Sequence, residues 1–451
     1  MSRSGERRRG RLAAAGVALL GMTLLGAAAG HLVARAPAEP GSYGIREVLG
    51  GERLELLGGR IDLPALAEAL ARDGRTDILT RQDGTWLLSR SLVIRPGATL
   101  EVRKATLRLH SEPNRFVGLE ARGGNLEITD STVTSWAPGT GRPDDQVDDG
   151  RAWVLARDGA VMNVLRSRME QLGYARAERS GVAWRTKATS GTIHRSTFAG
   201  NWYGAYLQGT RNLQIEDNVF RHNGRHGLML AVGCSNATVR GNQSYANAGH
   251  GMVVFQGSND VTLTANEVHD NRRSGIDVDG SLRLRLTGNV VYGNDIGLHV
   301  HGRSRSIVAD DNRLAANRLD GLRVSSGATQ VTASKNLIDF NHRAGVFIAE
   351  GTAEIGPANR LLDNEMGVWL STDARGTAVM DNSIESNVLD GVHLAGLRVG
   401  LVRGNLIRAN RKAAFSVASK GSARPFLSEN RLVGNPARER VRVEGHPQPA
   451  G

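Results

Sequence analysis

From Gly204 to Asn435 the chain repeats one pattern of apolar and polar positions. A glycine opens a short strand whose first and third residues are apolar, a polar turn and further short strands follow, and two asparagines separated by four residues flank the last of them. The glycines are Gly204, Gly227, Gly251, Gly275, Gly297, Gly321, Gly345, Gly367 and Gly391, which makes each repeat 22–24 residues long. The apolar positions read Leu228/Leu230, Met252/Val254, Ile276/Val278, Leu298/Val300, Leu322/Val324, Val346/Ile348, Val368/Leu370 and Val392/Leu394. Alternate residues of a strand point to opposite faces, so these positions form a core and the second and fourth residues face outward. A repeat of this length, with period-two strands and no helical periodicity, predicts a β-solenoid. The leucine/asparagine consensus of leucine-rich repeats, which overlap in length, is absent. The expected fold is all-β, a right-handed parallel β-helix.

The asparagine pairs run from Asn218/Asn223 to Asn430/Asn435. Asparagine tolerates left-handed backbone and bonds its own chain, so it suits a sharp corner, and stacked asparagines can bond as a ladder. Upstream, 100–103 and 126–129 alternate as half-buried strands do. The segment 138–151 breaks the repeat and carries Asp144, Asp145, Asp148 and Asp149. It reads as a solvated loop thrown out from one corner, with a lid or calcium loop as alternatives, although EF-hand spacing is missing. Residues 63–72 read as a short amphipathic helix with Asp62 as N-cap and Pro64 in the first turn, placed to cap the exposed end of the solenoid. The expected organisation is a signal peptide or membrane anchor over 1–38, an N-terminal segment with the capping helix over 39–90, the β-helix over 91–435 and a disordered tail over 436–451.

Arg7, Arg8, Arg9 and Arg11 precede an uncharged run over 12–30, a basic then apolar order that predicts export. The run of 19 residues is long for a cleaved signal and sufficient to span a bilayer. Ala36-Pro37-Ala38 offers a small-x-small cleavage site, so cleaved and anchored forms both stay open, and the protein is expected in the periplasm, outside the cell, or tethered by this segment. The single cysteine, Cys234, excludes an intrachain disulfide and a cysteine-based zinc site. A formal net charge of +12 favours a polyanionic partner. No Lys/Arg cluster is interleaved with aromatics, which together with export argues against nucleic acid.

The outward second positions read, coil by coil, Tyr206, Met229, Val253, Asp277, His299, Arg323, Phe347, Trp369 and His393, and the fourth positions include Asp279 and His301. With coils about 4.8 Å apart and same-face residues about 6.7 Å apart along a strand, Asp277, Asp279, His299 and His301 form a square with Arg323 one coil on. Two carboxylates, two imidazoles and a guanidinium make a catalytic inventory. A carboxylate raises and orients a neighbouring imidazole, and Arg323 or the nearby Arg303 could hold an anionic substrate group. Phe347 and Trp369 offer platforms for sugar rings, with Tyr206 and His393 on the same substrate-binding face. A simple surface ladder of Asp over His is the bland alternative. A metal is a further one, since His-x-His beside Asp-x-Asp has suitable ligand types. No organic cofactor is implied.

Several segments carry a family resemblance: Trp86-Leu87-Leu88 leading to Pro96-Gly97-Ala98-Thr99-Leu100, then Val133-Thr134-Ser135-Trp136, Leu172-Gly173-Tyr174, Trp202-Tyr203-Gly204, His226-Gly227 and His250-Gly251. In these the chain resembles bacterial periplasmic mannuronan C5-epimerases of alginate maturation, and more broadly the carbohydrate-binding and sugar-hydrolase β-helix repeats. The resemblance implies a base that removes the C5 proton of a uronate, cations that neutralise its carboxylate, and a proton returned on the opposite face. The family signature is Asp-Pro-His-Asp. By coil register it should fall on Met229-Leu230-Ala231-Val232, with its arginine near Gln256, and neither is present. The nearest approach is Gly275-Ile276-Asp277-Val278-Asp279, two coils on. The resemblance implies an epimerase or lyase on an anionic polysaccharide, but no family catalytic residue carries over at its expected position, and the Asp/His square read from the strand faces is the candidate, with His299 or His301 as base, Asp277 and Asp279 as orienters and Arg303 or Arg323 on the carboxylate. The alternative is a non-catalytic polysaccharide-binding scaffold in an export system, with synthesis and export machinery as partners and membrane contact only through the N-terminal segment. Resemblance to β-helix proteins of periplasmic copper-enzyme maturation is a third, disfavoured by a face poor in Met and Cys.

Overall fold

Each repeat folds as one coil of three short strands. After Gly227 these are a main strand Leu228–Ala231, a second strand Thr238–Arg240 and a third strand Gln243–Tyr245. Each pairs in parallel with its counterpart in the next coil, Leu228 opposite Met252, Thr238 opposite Thr262 and Gln243 opposite Glu267. The inward residues, including Leu228, Leu230, Val254, Val278 and Val300, are buried in one continuous core along the axis. The computed structural model describes residues 43–48, 52–113, 115–176, 179–374, 376–395, 400–418, 426–436 and 441–443. The expected signal or anchor and its cleavage site lie outside them. Among the described residues no helix is long and apolar enough to cross a membrane.

The parallel ladder is longer at both ends than the repeat suggests. Arg53–Leu57 pairs with Ser91–Ile94, and Arg60–Asp62 with Thr99–Arg103, so the solenoid begins upstream of residue 91. The helix and an antiparallel hairpin (Leu79–Gln82 with Thr85–Leu88) sit inside this first coil and stretch its spacing, which hides the repeat from the sequence. At the other end Val441–Val443 pairs with Ala413–Val417, so the segment expected as a disordered tail carries a further strand. The capping helix spans Leu63–Arg72. Asp62 accepts the Ala65 N–H at 2.9 Å, and Leu63, Leu66 and Leu70 close the end of the core.

The asparagines form two buried ladders. Asn242 Nδ2 donates to Asn266 Oδ1 in the next coil at 3.0 Å and to the Ile215 carbonyl of the preceding coil at 2.8 Å, while its backbone N–H also reaches Asn266 Oδ1 at 3.0 Å. Asn271 repeats the arrangement with Asn294 Oδ1 and the Ser244 carbonyl, both at 3.0 Å. A buried amide satisfied at both ends is the condition for keeping it in a core. The left-handed corner, however, falls one residue earlier than the sequence suggests. Positive φ belongs to Asp217, Ala246, Ala265, Asp270, Asp311 and Ala316, each immediately before a ladder asparagine. The asparagine turns inward to bond along the stack, and its neighbour takes the strained backbone.

The repeat glycines are required by close approach. A Cβ on Gly275 would lie 2.3 Å from Val291 Cγ1 and 2.7 Å from the ladder amide of Asn294. Gly275→Ala is therefore expected to cost about 1–3 kcal/mol, the range for overpacking a tight core. Urea unfolding checks it, and an unchanged midpoint would show that the coil yields.

The insertion at 138–151 is largely exposed, as a solvated loop is, but it is fastened at a few buried points. Arg142–Pro143 pairs back on Trp136 and Ala137. Asp144 is buried and accepts from Ser111 Oγ at 2.6 Å, and burial pushes its carboxyl up. Arg151, 1% exposed, donates to the carbonyls of Gly173 at 2.9 Å and Gly200 at 3.0 Å and to Gln171 Oε1 at 3.0 Å. Burial alone lowers its pKa to about 10. Such satisfied polar groups mark a structural clasp.

Candidate active site

Along the main strands the outward column is in register from coil to coil. Tyr206 lies opposite Met229, which is followed by Val253, Asp277, His299, Arg323, Phe347, Trp369 and His393. Asp279 lies opposite His301. The four groups of the square are therefore neighbours, but their contacts are unequal. Asp277 is the hub. Its Oδ1 is 3.3 Å from His299 Nδ1 and its Oδ2 is 3.2 Å from His301 Nε2. The two imidazoles stack with centroids 4.1 Å apart. Asp279 stands off, its Oδ1 3.9 Å from His301 Nδ1.

Asp277 is not the solvent-facing carboxylate that strand alternation suggests. It is 5% exposed, on the outer face yet roofed by its own partners. His299 and His301 cover it from the next coil, His250 Nδ1 lies 3.7 Å away from the preceding corner, and Ser274 Oγ donates to it at 3.4 Å. Burial pushes its carboxyl up, but the bonds from His299 and His301 outweigh burial and hold it well below the usual carboxylate range. The same carboxylate divides the two imidazoles. Burial lowers His299 below the ordinary value despite its bond to Asp277. Burial also acts on His301, but the bond to Asp277 and the charges of Asp277 and Asp279 prevail and raise it. The two imidazoles are pushed apart, His299 toward the free base and His301 toward the protonated acid, and groups separated in this way are what acid–base chemistry requires.

Two further histidines complete the site, and neither belongs to the outward column, because both sit just before the main-strand glycine. His250 N–H donates to His226 Nδ1 at 2.9 Å, and Ser274 N–H donates to His250 Nδ1 at 3.1 Å. These bonds use the Nδ1 lone pairs and leave each proton on Nε2. Burial pushes His226 down to about 3, so it stays neutral. Burial likewise lowers His250, opposed in part by Asp277. The recurrence of His-Gly in consecutive coils was the available signal. Together with Tyr203, Arg225, Arg272, Arg273 and Arg323, these groups line an open groove of about 830 Å³ above Asp277. Burial raises the Tyr203 phenol, which stays protonated.

The other expected residues divide. Arg323 lines the groove. Its Nε donates to the fully buried Asp320 at 2.7 Å, and its Nη2 is buried with no acceptor among the described residues. Arg303 lies beyond Gly302 in the turn, exposed and with φ of 63°, outside the groove lining. The square extends along the strand, and Arg303 has already left it. Phe347 and Trp369 continue the column as a half-buried pair with centroids 4.8 Å apart, and Arg343 lies over both rings at 4.6 and 5.5 Å. His393 meets Trp369 edge-on at 5.7 Å. Tyr206 packs on Tyr203 at 5.2 Å. These four lie on the same face outside the groove lining. Asp277, His299 and His301 also form a metal-sized group, with ligand atoms within 4.8 Å of one another.

Comparison with known proteins agrees with this architecture. The chain is 26% identical over 189 residues to the mannuronan C5-epimerase of Pseudomonas putida, which covers 38% of this chain and 34% of the relative. The mannuronan C5-epimerase of Pseudomonas aeruginosa is 25% identical over 186 residues, covering 38% and 33%. The chain thus spans about a third of the length of the curated relatives it matches. Among solved structures, the periplasmic alginate epimerase AlgG superposes with a TM-score of 0.57 at 18% identity over 85% of each chain. A double mutant of AlgG gives 0.64 at 17% identity, covering 90% of this chain and 96% of the other. The model of the right handed beta helix region matches residues 117–291 and 274–435, the stretch that carries the asparagine ladders, the in-register main strands and the groove. By that match and by its coils, this chain belongs to the right-handed β-helix family.

Proposed function

We propose that this chain is an exported enzyme that moves the C5 proton of a uronate residue in an anionic polysaccharide, as an epimerase or a lyase. The observation that supports this reading most is the division of His299 and His301 into base and acid about one buried carboxylate. The C5 proton is weakly acidic, so a base alone does not suffice. The guanidinium of Arg323, which lines the groove, with Arg225 and Arg273 beside it, neutralises the uronate carboxylate as charge develops on it. Neutral His299 takes the proton, and the C–H electron pair passes into the carboxylate. Its Nε2 lies 2.9 Å from Ser325 Oγ, a hydroxyl that rotates aside. In epimerisation a proton returns to the opposite face of C5, with the Tyr203 phenol as the groove's other donor. In elimination the electron pair forms the C4–C5 double bond and expels the glycosidic oxygen at C4, which takes its proton from His301.

The second reading is a non-catalytic polysaccharide-binding scaffold, and it draws on Met229 and Ala231, which put no ionisable group at the register of the family signature. Incubation with polymannuronate and polygalacturonate, beside neutral polymers of glucose and mannose, tests the substrate class. Conversion confined to the uronates is expected, and conversion of a neutral polymer would overturn the carboxylate argument. Binding to uronate gels should also weaken as salt rises, since exposed charges are screened beyond about 8 Å at physiological ionic strength. Retention independent of salt would point instead to stacking on Phe347 and Trp369.

A further inference from the structure

We infer that Asp277, His299 and His301 are also a binding site for a divalent ion of the zinc class, and that such an ion and the polysaccharide reaction exclude one another. The inference rests on the acid–base reading above for its second half, and on geometry alone for its first. His299 and His301 alternate on one strand and so face the same way, with Asp277 from the neighbouring coil between them. Asp277 Oδ1 lies 3.3 Å from His299 Nδ1 and its Oδ2 3.2 Å from His301 Nε2, and one ligand atom from each of the three residues lies within 4.8 Å of the others. A tetrahedral ion with bonds of about 2.0–2.1 Å needs ligand–ligand edges of roughly 3.3–3.4 Å, so the carboxylate already stands at ligand spacing from each imidazole and a small closure brings one of its oxygens and both ring nitrogens onto one ion. Three protein ligands leave a fourth position open to the groove, the pattern of an accessible rather than a structural site.

The outer partners agree. A metal-bound imidazole donates its other ring N–H to a carboxylate or another oxygen. His299 Nε2 has Ser325 Oγ at 2.9 Å, and His301 Nδ1 faces Asp279 Oδ1 at 3.9 Å. Ser274 Oγ steadies Asp277. Two imidazoles and one carboxylate disfavour calcium and magnesium, which take oxygen ligands, and favour zinc, cobalt, nickel or copper. An ion so held occupies His299 Nδ1, His301 Nε2 and the Asp277 carboxylate, the same atoms whose contacts the proposed reaction uses, so the two uses of the site exclude one another.

The test uses the untagged full-length chain stripped of metal, with Co²⁺ as a spectroscopic probe and Zn²⁺ as competitor. Saturable, equimolar binding with the visible bands of a tetrahedral cobalt centre is expected, together with bleaching by Zn²⁺. His301→Ala and Asp277→Asn should each abolish the bands, Ser325→Ala should weaken binding about tenfold, and His269→Ala, on the third strand, should change nothing. Circular dichroism confirms that each variant is folded. Absence of the bands in the wild type, or their survival in both His301→Ala and Asp277→Asn, would overturn the site. If the bands form and turnover on a uronate polymer falls in step with Zn²⁺ occupancy, the inference holds. If turnover rises instead, the exclusion is wrong. Failure of cobalt to bind leaves any metal-free turnover untouched, so the two readings fail separately.

Discussion

Replacing His299 and His301 together by alanine is expected to reduce turnover by about a hundred- to ten-thousand-fold, the range for losing general acid–base groups. Neither side chain fills the core, since Leu298 and Val300 on the same strand do that. The double variant nevertheless takes from Asp277 both the imidazoles that cover it and their hydrogen bonds, leaving Ser274 as a donor at 3.4 Å. That loss should cost about 1–3 kcal/mol of stability without unfolding the solenoid. Circular dichroism and urea unfolding separate the two effects. In the wild type, activity should follow a bell. Its acid limb reports protonation of His299, below the ordinary histidine value because burial lowers it. Its alkaline limb reports loss of the His301 proton, above the ordinary value because Asp277 holds it. An optimum lying between these limbs is expected, and a monotonic profile would contradict the assignment.

Asp277→Asn should have the second largest effect, because one carboxylate sets both imidazoles. Without it His301 loses the bond that raised its pKa, and burial then lowers it. The alkaline limb should move to lower pH and turnover near neutrality should collapse. Stability changes with a definite sign. The Asp277 carboxyl is held below its unfolded value, so its contribution is present above about pH 3.9 and lost as pH falls through the folded value. His301 is raised in the folded state, so its contribution is full below about pH 6.5 and lost as pH rises through its folded pKa. The variant should therefore lose the stability decline that the wild type shows on the alkaline side. Urea midpoints for both proteins across pH test this, and parallel curves would mean that Asp277 and His301 are uncoupled.

The coil period, the inward residues and the neighbouring of Asp277 with His299 were legible because strand alternation and a fixed repeat determine them. Less legible was everything that depends on how coils meet at corners. The positive φ sits before each asparagine, and only the inward hydrogen bonds of Asn242 or Asn271 reveal why. Asp277 reads as exposed because alternation says which face a residue occupies, not what lies over it. His226 and His250 were visible as letters, yet their position before the strand glycine hid their aim into the groove. Arg303 was misplaced because sequence proximity to His301 does not carry it around the Gly302 turn. The helix and hairpin inside the first coil concealed where the ladder starts.

The most direct test of a C5 proton-transfer site is incubation of the wild type and of the His299→Ala/His301→Ala variant with polymannuronate and polygalacturonate in heavy water. NMR then detects deuterium at C5, and ultraviolet absorbance detects unsaturated chain ends. The account predicts one or both signals with the wild type and neither with the variant. Deuterium without unsaturation would identify an epimerase, and unsaturation a lyase. A wild-type protein that binds one of these polymers and yields neither signal would contradict the account and leave the groove as a binding surface.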